Sequence, residues 1–179
     1  MNYNKIFNFL KNLPKKLNNF YRKNSKLDFR VDNKSKNIKD FDPVTNIDRS
    51  FERYIRSLIH KSFPGDSIIG EEFEDKFTSS DFQWCIDPID GTRAFIIGAP
   101  TWSNLIGLSF KNKSILGLAN FPELNKFYIG DKKKSYVVKN KQNFILKSSK
   151  NNNLKTIKII GNFHGTLSYE KQKKIIKKF

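Results

Sequence analysis

The spacing of apolar residues changes once along the chain, and this change restricts the fold more than any other feature. In the first third, apolar side chains recur every three or four residues, which predicts amphipathic helices over residues 3–23 and 47–62. Beyond residue 100 the period becomes two, which is typical of short strands. Two helices followed by a run of strands predict an α/β fold of the layered α+β type, with helices packed on a mainly antiparallel sheet. The predicted strands lie at residues 103–110, 114–121, 126–130, 135–139 and 143–148.

Shorter segments complete the predicted order of elements. Residues 67–70 and 83–86 are short apolar runs of the kind that form strands. Toward the C-terminus we expect a strand over 154–160 and a basic helix over 169–179. Pro14 lies inside the first predicted helix and is expected to kink or divide it.

Composition excludes several classes of protein. The 179 residues include 17 Phe, 6 Tyr and 2 Trp, which argues against a disordered chain. A single cysteine, Cys85, excludes a disulfide scaffold. No apolar run approaches the roughly 18 residues that a membrane span needs. The N-terminus shows no apolar leader with a cleavage site, so the expected location is the cytoplasm.

Acidic residues are concentrated in one part of a strongly basic chain. The formal net charge is +17, from 34 Lys and Arg against 17 Asp and Glu. Residues 1–40 carry a net charge of +8 and residues 111–179 one of +14, whereas residues 41–110 carry −5. A general drift in composition toward lysine explains the basic segments without a nucleic-acid partner, but it does not explain the acidic one. Metal binding is the usual reason for such a group of carboxylates.

The segment Asp87-Pro88-Ile89-Asp90-Gly91-Thr92 follows an apolar run and combines two carboxylates with a turn. Pro88 fixes φ and Gly91 permits a sharp turn, so both carboxylates and the carbonyl of Ile89 can face one cation. Hard cations such as Mg²⁺ bind oxygen ligands of this mixed kind. Gly91 and Thr92 can also begin a helix whose backbone N–H groups face an anion. The alternative is an ordinary turn, because Asp, Pro and Gly are common turn residues.

Two further acidic motifs precede this segment, and each has two interpretations. Glu71 and Glu72 follow a short predicted strand, where they can add a carboxylate to a metal site or simply lie exposed. Asp48 follows Thr45 by three residues, a spacing typical of a helix cap. Arg93 comes directly after the turn, where it can contact a substrate or pair with a surface acid.

Taken together, the three motifs resemble those of a known family. Residues 42–48 (Asp-Pro-Val-Thr-Asn-Ile-Asp), 70–72 (Gly-Glu-Glu) and 84–92 (Trp-Cys-Ile-Asp-Pro-Ile-Asp-Gly-Thr) resemble, in order and spacing, motifs of the inositol monophosphatase-like family of Mg²⁺-dependent phosphatases. Residues 93–102 and 105–108 look most similar to its histidinol-phosphatase branch. The resemblance implies the layered α/β sugar-phosphatase fold of that family, often present as a homodimer.

The resemblance also implies a metal site and a reaction. Glu71, Asp87, the carbonyl of Ile89 and Asp90 match the Mg²⁺ ligands of the family. The implied reaction is hydrolysis of a phosphate monoester, such as histidinol phosphate or an inositol phosphate, by a metal-activated water. No covalent enzyme intermediate is needed.

Catalytic and substrate-binding roles follow from the same resemblance. Asp48 and Thr92 match the pair that orients and deprotonates the attacking water. The expected catalytic residues are therefore Asp48, Thr92 and the metal ligand Glu71. The expected substrate-binding residues are Asp90, Gly91, Thr92 and Arg93.

The sequence departs from the family in one respect. Family members have a C-terminal half with a Trp-Asp motif, whose Asp supplies a further metal ligand, but here neither Trp84 nor Trp102 is followed by Asp. The resemblance therefore implies a metal-binding α+β half over residues 1–150 and the start of a truncated α/β half over 151–179. We expect weakened binding of the first metal and an uncovered apolar face on the sheet.

Three functions remain open from the sequence. The first is a metal-dependent phosphatase that acts on a small phosphorylated metabolite. The second is a truncated or decayed family member with little activity alone, which would need a separately encoded C-terminal half. The third is a basic protein that binds RNA or acidic surfaces through residues 132–178, and it is disfavoured because that segment lacks an RNA-binding motif. Neither nucleic acid nor a membrane is expected as a partner.

Overall fold

A computed structural model describes residues 3–24, 30–34 and 43–150, together with Asn153 and Thr156. The chain divides into two units, Met1–Leu146 and Lys147–Phe179. In the second unit, the Thr156 N–H donates a hydrogen bond to the carbonyl of Asn153. Apart from Thr156, the strand and helix expected near the C-terminus lie outside the described residues. The elements below all belong to the first unit.

Both predicted N-terminal helices are confirmed. Helix α1 spans Tyr3–Asn24 and helix α2 spans Asn46–Ser62. Because α1 continues through a buried Pro14 as one helix, the expected division at that residue is wrong. Within the described ranges, neither of these helices nor any other is apolar and long enough to cross a membrane.

The main sheet has seven strands whose order in space follows their order in the chain. Strands β3 and β4 are parallel, and every later neighbour pair is antiparallel, so the predicted layered α/β fold with a mainly antiparallel sheet is confirmed. A separate antiparallel pair joins β1 to β2, directly before α2. The short helix α3 spans Thr92–Ile96. The strands are β1 Val31–Asn33, β2 Pro43–Thr45, β3 Ser67–Gly70, β4 Phe82–Asp90, β5 Ser103–Phe110, β6 Lys113–Phe121, β7 Lys126–Asp131, β8 Ser135–Lys139 and β9 Gln142–Ile145.

Strand β4 continues four residues beyond its predicted end at residue 86. Pro88 has no N–H to donate to the ladder, and a proline inside a central strand is rarely tolerated. The pairing with β5 instead shifts register between Asp87 and Asp90, and a bulge of this kind accommodates a proline. The Pro88 carbonyl, freed from the ladder, accepts a hydrogen bond from Asn104 Nδ2 at 2.6 Å.

The helices cover one face of the sheet and form the core with it. Phe9 of α1 and Phe63 after α2 pack on the Trp84 ring of β4, with ring centroids 5.6 and 5.3 Å away. The buried hydrophobic core residues of the two helices recur every three or four residues, as the sequence predicted. They are Ile6, Leu10, Leu13 and Leu17 in α1, and Ile47, Phe51, Ile55 and Ile59 in α2.

Polar contacts also tie α1 to distant parts of the sheet. The Tyr3 hydroxyl donates to the Asp131 carboxylate, and the Tyr21 hydroxyl donates to Glu123. Near the middle of α1, Asn120 Nδ2 of β6 donates to the side-chain oxygen of Asn18 at 2.8 Å. These contacts fix the helix along its length against β6 and β7.

The opposite face of the sheet carries a row of small residues. Cross-strand pairing aligns Cys85, Gly107, Gly117 and Gly130 across β4 to β7. They help to line an open groove of about 950 Å³ with apolar neighbours such as Ile69. Among the described residues this groove is open, and the expectation of an uncovered apolar face on the sheet stays a prediction.

We expect Asn104→Ala to lower the free energy of unfolding by about 1–3 kcal/mol. Asn104 is fully buried, and its loss removes the donor to the Pro88 carbonyl and one of the two acceptors of the Asn120 amide. Urea unfolding measures the change. The matched control is Ser109→Ala in the same strand, β5. It removes a half-buried 3.3 Å hydrogen bond from the Ser109 hydroxyl to the Gln83 carbonyl. An effect of Asn104→Ala no larger than that of the control would contradict the role of this contact.

Candidate active site

Asp48 lies at the start of α2 and makes two kinds of contact. Its Oδ2 accepts hydrogen bonds from the Thr45 N–H at 2.8 Å and from the Thr45 hydroxyl, while Thr45 Oγ1 accepts from the N–H groups of Ile47 and Asp48. The predicted helix cap is therefore present as a complete capping box. Its other oxygen, Oδ1, accepts from the Thr92 hydroxyl at 3.4 Å. Burial raises the pKa of the Asp48 carboxyl above its usual value, although the contacts with Thr45 oppose the shift.

The end of β4 brings the turn residues next to Asp48. The Thr92 hydroxyl lies 3.1 Å from the Ile89 carbonyl oxygen as well as near Asp48. Asp90 Oδ2 accepts a 3.2 Å hydrogen bond from Ser103 at the start of β5. Gly91 has φ of +85°, a conformation that favours glycine, and α3 begins directly after it. The sequence correctly predicted a helix start at this point.

Asp87, near the end of β4, is a half-buried carboxylate. Its Oδ1 atom is buried and, within the described part of the chain, receives no hydrogen bond. Burial, followed by the negative charges of Glu71 and Asp90, raises the pKa of Asp87 to about 7. A buried acceptor without a donor is costly and needs an explanation.

A lysine compensates the neighbouring acidic pair. Lys34 Nζ, directly after β1, lies 2.8 Å from Glu71 Oε1 and 2.6 Å from Glu72 Oε1. Burial lowers the pKa of Lys34, but the hydrogen bonds to the two glutamates outweigh it and leave that pKa raised. Burial also raises the pKa of Glu72, whose side chain is only 3% exposed.

These residues have the right chemistry for a metal ion but are not arranged as a finished site. Among the side chains that the structure describes, no three acidic, histidine or cysteine residues are grouped closely enough to hold a metal. The Lys34 ammonium group instead supplies the positive charge at Glu71 and Glu72. The Asp87 Oδ1 atom has no hydrogen-bond partner among the described residues, so a cation that prefers carboxylate and carbonyl oxygens fits the donor set.

Sequence reasoning did not assign a role to three residues near this site. Lys34 lies in a polar stretch with no motif of its own, so only the structure reveals its contacts. Glu52 and Arg56 on α2 form a buried ion pair with a 2.8 Å Nε–Oε1 distance. Their i,i+4 spacing next to core residues was a signal that could have found them. Arg93 is exposed on α3, and its substrate contact stays a prediction.

In the absence of metal, we expect the melting temperature to fall as the pH rises from 5 to 8. Folding raises the pKa of Asp87, so its contribution to stability is complete below the unfolded pKa and is lost as the pH passes about 7. Asp87→Asn should flatten this decline, and thermal unfolding in a chelator measures it. Asp81→Asn, at an exposed acid outside the site, is the control. An unchanged slope in Asp87→Asn would refute the assignment.

We expect Lys34→Met to bind Mn²⁺ about 3- to 10-fold more tightly than the unmodified chain, since an ammonium group no longer competes for Glu71 and Glu72. Isothermal titration measures the affinity. Lys111→Met is the matched control, because Lys111 pairs at 3.8 Å with an exposed acid outside the site, Asp81. Equal or weaker Mn²⁺ binding by Lys34→Met would show that the lysine does not compete with the metal.

Comparison with known proteins gives concordant matches. A histidinol-phosphatase of Chlorobaculum parvum is 42% identical over 94 residues, which are 52% of this chain and 36% of the relative. A protein named Nus factor SuhB from Haemophilus influenzae is 36% identical over 128 residues, which are 70% of this chain and 46% of the relative. Among solved structures, an IMPase/NADP phosphatase complexed with Mg²⁺ and phosphate aligns with a TM-score of 0.66 at 18% identity, and it shows the same fold.

The alignments also show how much of these proteins the chain corresponds to. The structural match covers 75% of this chain and 51% of the solved chain. The chain thus spans about half the length of that structure, and its matches cover less than half of the two sequence relatives. The model of the inositol monophosphatase family matches residues 2–178. The chain therefore belongs to the inositol monophosphatase family.

Proposed function

We propose that the chain carries the catalytic metal-binding half of a metal-dependent phosphomonoesterase. The observation that carries this proposal is the position of the Thr92 hydroxyl. It lies 3.4 Å from Asp48 Oδ1 and 3.1 Å from the carbonyl of Ile89, which follows Asp87 by two residues in the chain. A hydroxyl held against a buried carboxylate, next to oxygens suited to a cation, supports the activation of a water molecule.

In this proposal, Glu71, Asp87, the Ile89 carbonyl and Asp90 hold the metal, and Mg²⁺ is the ion that their oxygen atoms favour. The solved relative with Mg²⁺ and phosphate supports the choice of ion. When bound, the metal lowers the pKa of a water and neutralises charge on the phosphate. Lys34 must then leave Glu71, since one carboxylate oxygen cannot serve both cations fully.

Thr92 and Asp48 would move the proton of the attacking water. Thr92 Oγ1 accepts that proton and passes its own hydroxyl proton to Asp48 Oδ1, along the 3.4 Å contact between them. Burial raises the pKa of Asp48, which makes the carboxylate a better proton acceptor. Because Thr45 keeps Oδ2 occupied, only Oδ1 is left to take the proton.

The substrate in this proposal is a small phosphate monoester. Asp90 and the backbone at Gly91 and Thr92 would contact its phosphate, and Arg93 would contact the remainder of the molecule. Histidinol phosphate is the first substrate to test, because a relative with that activity in its name is 42% identical over the matched region. An inositol phosphate is the second, in keeping with the family.

Two predictions about partners concern the open face of the sheet. A homodimer and a separately encoded second half would each supply a surface for the groove that Gly107 and Gly117 help to line. Both stay predictions, and sedimentation of the purified chain measures the first directly.

We expect Thr92→Ala to lower kcat for phosphate release by about 10²- to 10⁴-fold. Thr92→Ser keeps the hydroxyl and should retain most of the activity, which separates the proton path from packing at this position. Phosphate release with Mg²⁺, from histidinol phosphate and from inositol 1-phosphate, measures the effect.

Control variants show whether the phosphate release comes from this chain or from a contaminating phosphatase. Asp90→Asn should abolish phosphate release, whereas Asp81→Asn should leave it unchanged because Asp81 is exposed outside the site. Release that survives in Asp90→Asn would contradict the assigned site. No release from either substrate by the unmodified chain would instead favour a family member that is inactive alone.

A further inference from the structure

Glu52 is a fully buried acidic residue that belongs to none of the motifs. It lies on α2 between the core residues Phe51 and Ile55, with 0% of its surface exposed. Burying a carboxylate costs several kcal/mol unless it is paired and hydrogen-bonded. The partners of its two oxygens therefore indicate what the residue does.

Each oxygen of Glu52 has a distinct set of partners. Oε1 accepts a 2.8 Å hydrogen bond from Arg56 Nε, one helical turn later. Oε2 accepts hydrogen bonds from two successive backbone N–H groups, that of Glu71 at 3.0 Å and that of Glu72 at 2.7 Å. A carboxylate that accepts from backbone N–H groups makes charge-assisted bonds, which are stronger than neutral ones.

Arg56 extends the same contact to the next residue. Its Nη2 donates to the carbonyl of Phe73 at 3.2 Å. The ion pair on α2 therefore contacts the backbone at three consecutive positions, residues 71 to 73. It does so without using the carboxylates of Glu71 and Glu72, which remain directed to Lys34.

Gly70 allows this close approach. A Cβ atom at this position would lie 2.1 Å from Glu52 Oε1 and 2.6 Å from Arg56 Nη2. These distances are shorter than any real contact, so an alanine would push the ion pair away from the backbone. The glycine is needed for space and not for a left-handed φ, because its φ is not positive.

We propose that Glu52, held by Arg56, is a positioning residue that fixes the backbone of Glu71 and Glu72 so that the Glu71 carboxylate, a proposed metal ligand, faces the metal site. This rests on the proposed function for the part that concerns metal. The competing explanation is that the ion pair only stabilises the packing of α2 on β3. The two explanations differ in which amides respond when the carboxylate is removed.

Amide hydrogen exchange in metal-free protein tests the positioning directly. Glutamine has nearly the same shape as glutamate. In Glu52→Gln we expect amide exchange at Glu71 and Glu72 to accelerate at least 10-fold more than amide exchange within β3 and α2. The matched control is Ile59→Val, at a fully buried residue of the same helix. It should change exchange across the core without singling out residues 71 and 72.

Mn²⁺ affinity then tests the consequence for the site. Glu52→Gln should weaken Mn²⁺ binding by about 10- to 100-fold, as is usual when a residue that supports a metal ligand is changed. Ile59→Val should leave the affinity unchanged at equal temperature. Absence of Mn²⁺ binding in the unmodified chain would contradict the metal site of the proposed function, while the exchange result would still decide the positioning role.

Two results would overturn the proposal. One is exchange at Glu71 and Glu72 that is unchanged in Glu52→Gln, and the other is an acceleration spread evenly over the fold. If Glu52→Gln does not fold, Gly70→Ala tests the same contact with the carboxylate still present. It should give the same selective exchange, and uniform exchange in that variant would equally refute the proposal.

Discussion

The main constraint on this structure is that it holds several carboxylates close together and partly buried. Burial raises the pKa of Asp87 to about 7, and the nearby negative charges of Glu71, Asp90 and Asp48 contribute to this shift. Like charges in a region of low dielectric repel strongly. A chain that needed only a stable fold would not bring these residues together, so the arrangement indicates function at the cost of stability.

The groups that bind these carboxylates and the backbone around them come from several elements. Lys34 follows β1, the capping hydroxyl of Thr45 ends β2, Arg56 belongs to α2, and Asn104 of β5 holds the bulge in β4. Each of these groups binds either a carboxylate or the backbone that carries one. The site is therefore supported by most of the layers of the fold, and the loop residues in it are held by regular elements.

The fold was largely predictable because its signals are local. The change in apolar period from three or four to two gave both helices and most strand bounds, and β5 and β8 match their predicted ranges. The prediction ended strand β4 too early, because a central strand accommodates Pro88 only at a bulge. The Pro88 carbonyl at this bulge is bound by Asn104, sixteen residues later, which a local pattern does not reveal. For the site, the family resemblance implied that Asp48 and Thr92 act as a pair, and the structure places their oxygens 3.4 Å apart although 44 residues separate them in the chain. Lys34 and Glu52 were missed because their contacts with Glu71 and Glu72 are long-range and no periodic pattern records them.

The contacts of α1 have a consequence for the order in which the chain folds. Strands β4 to β9 are joined to their neighbours through short connections, so their pairing closes small loops. By contrast, Tyr3 reaches Asp131 across 128 residues, and Tyr21 reaches Glu123 across 102. Closing a longer loop costs more entropy, and contacts of this range form slowly. We therefore expect helix α1, which precedes the whole sheet in the chain, to be among the last elements to be fixed in place.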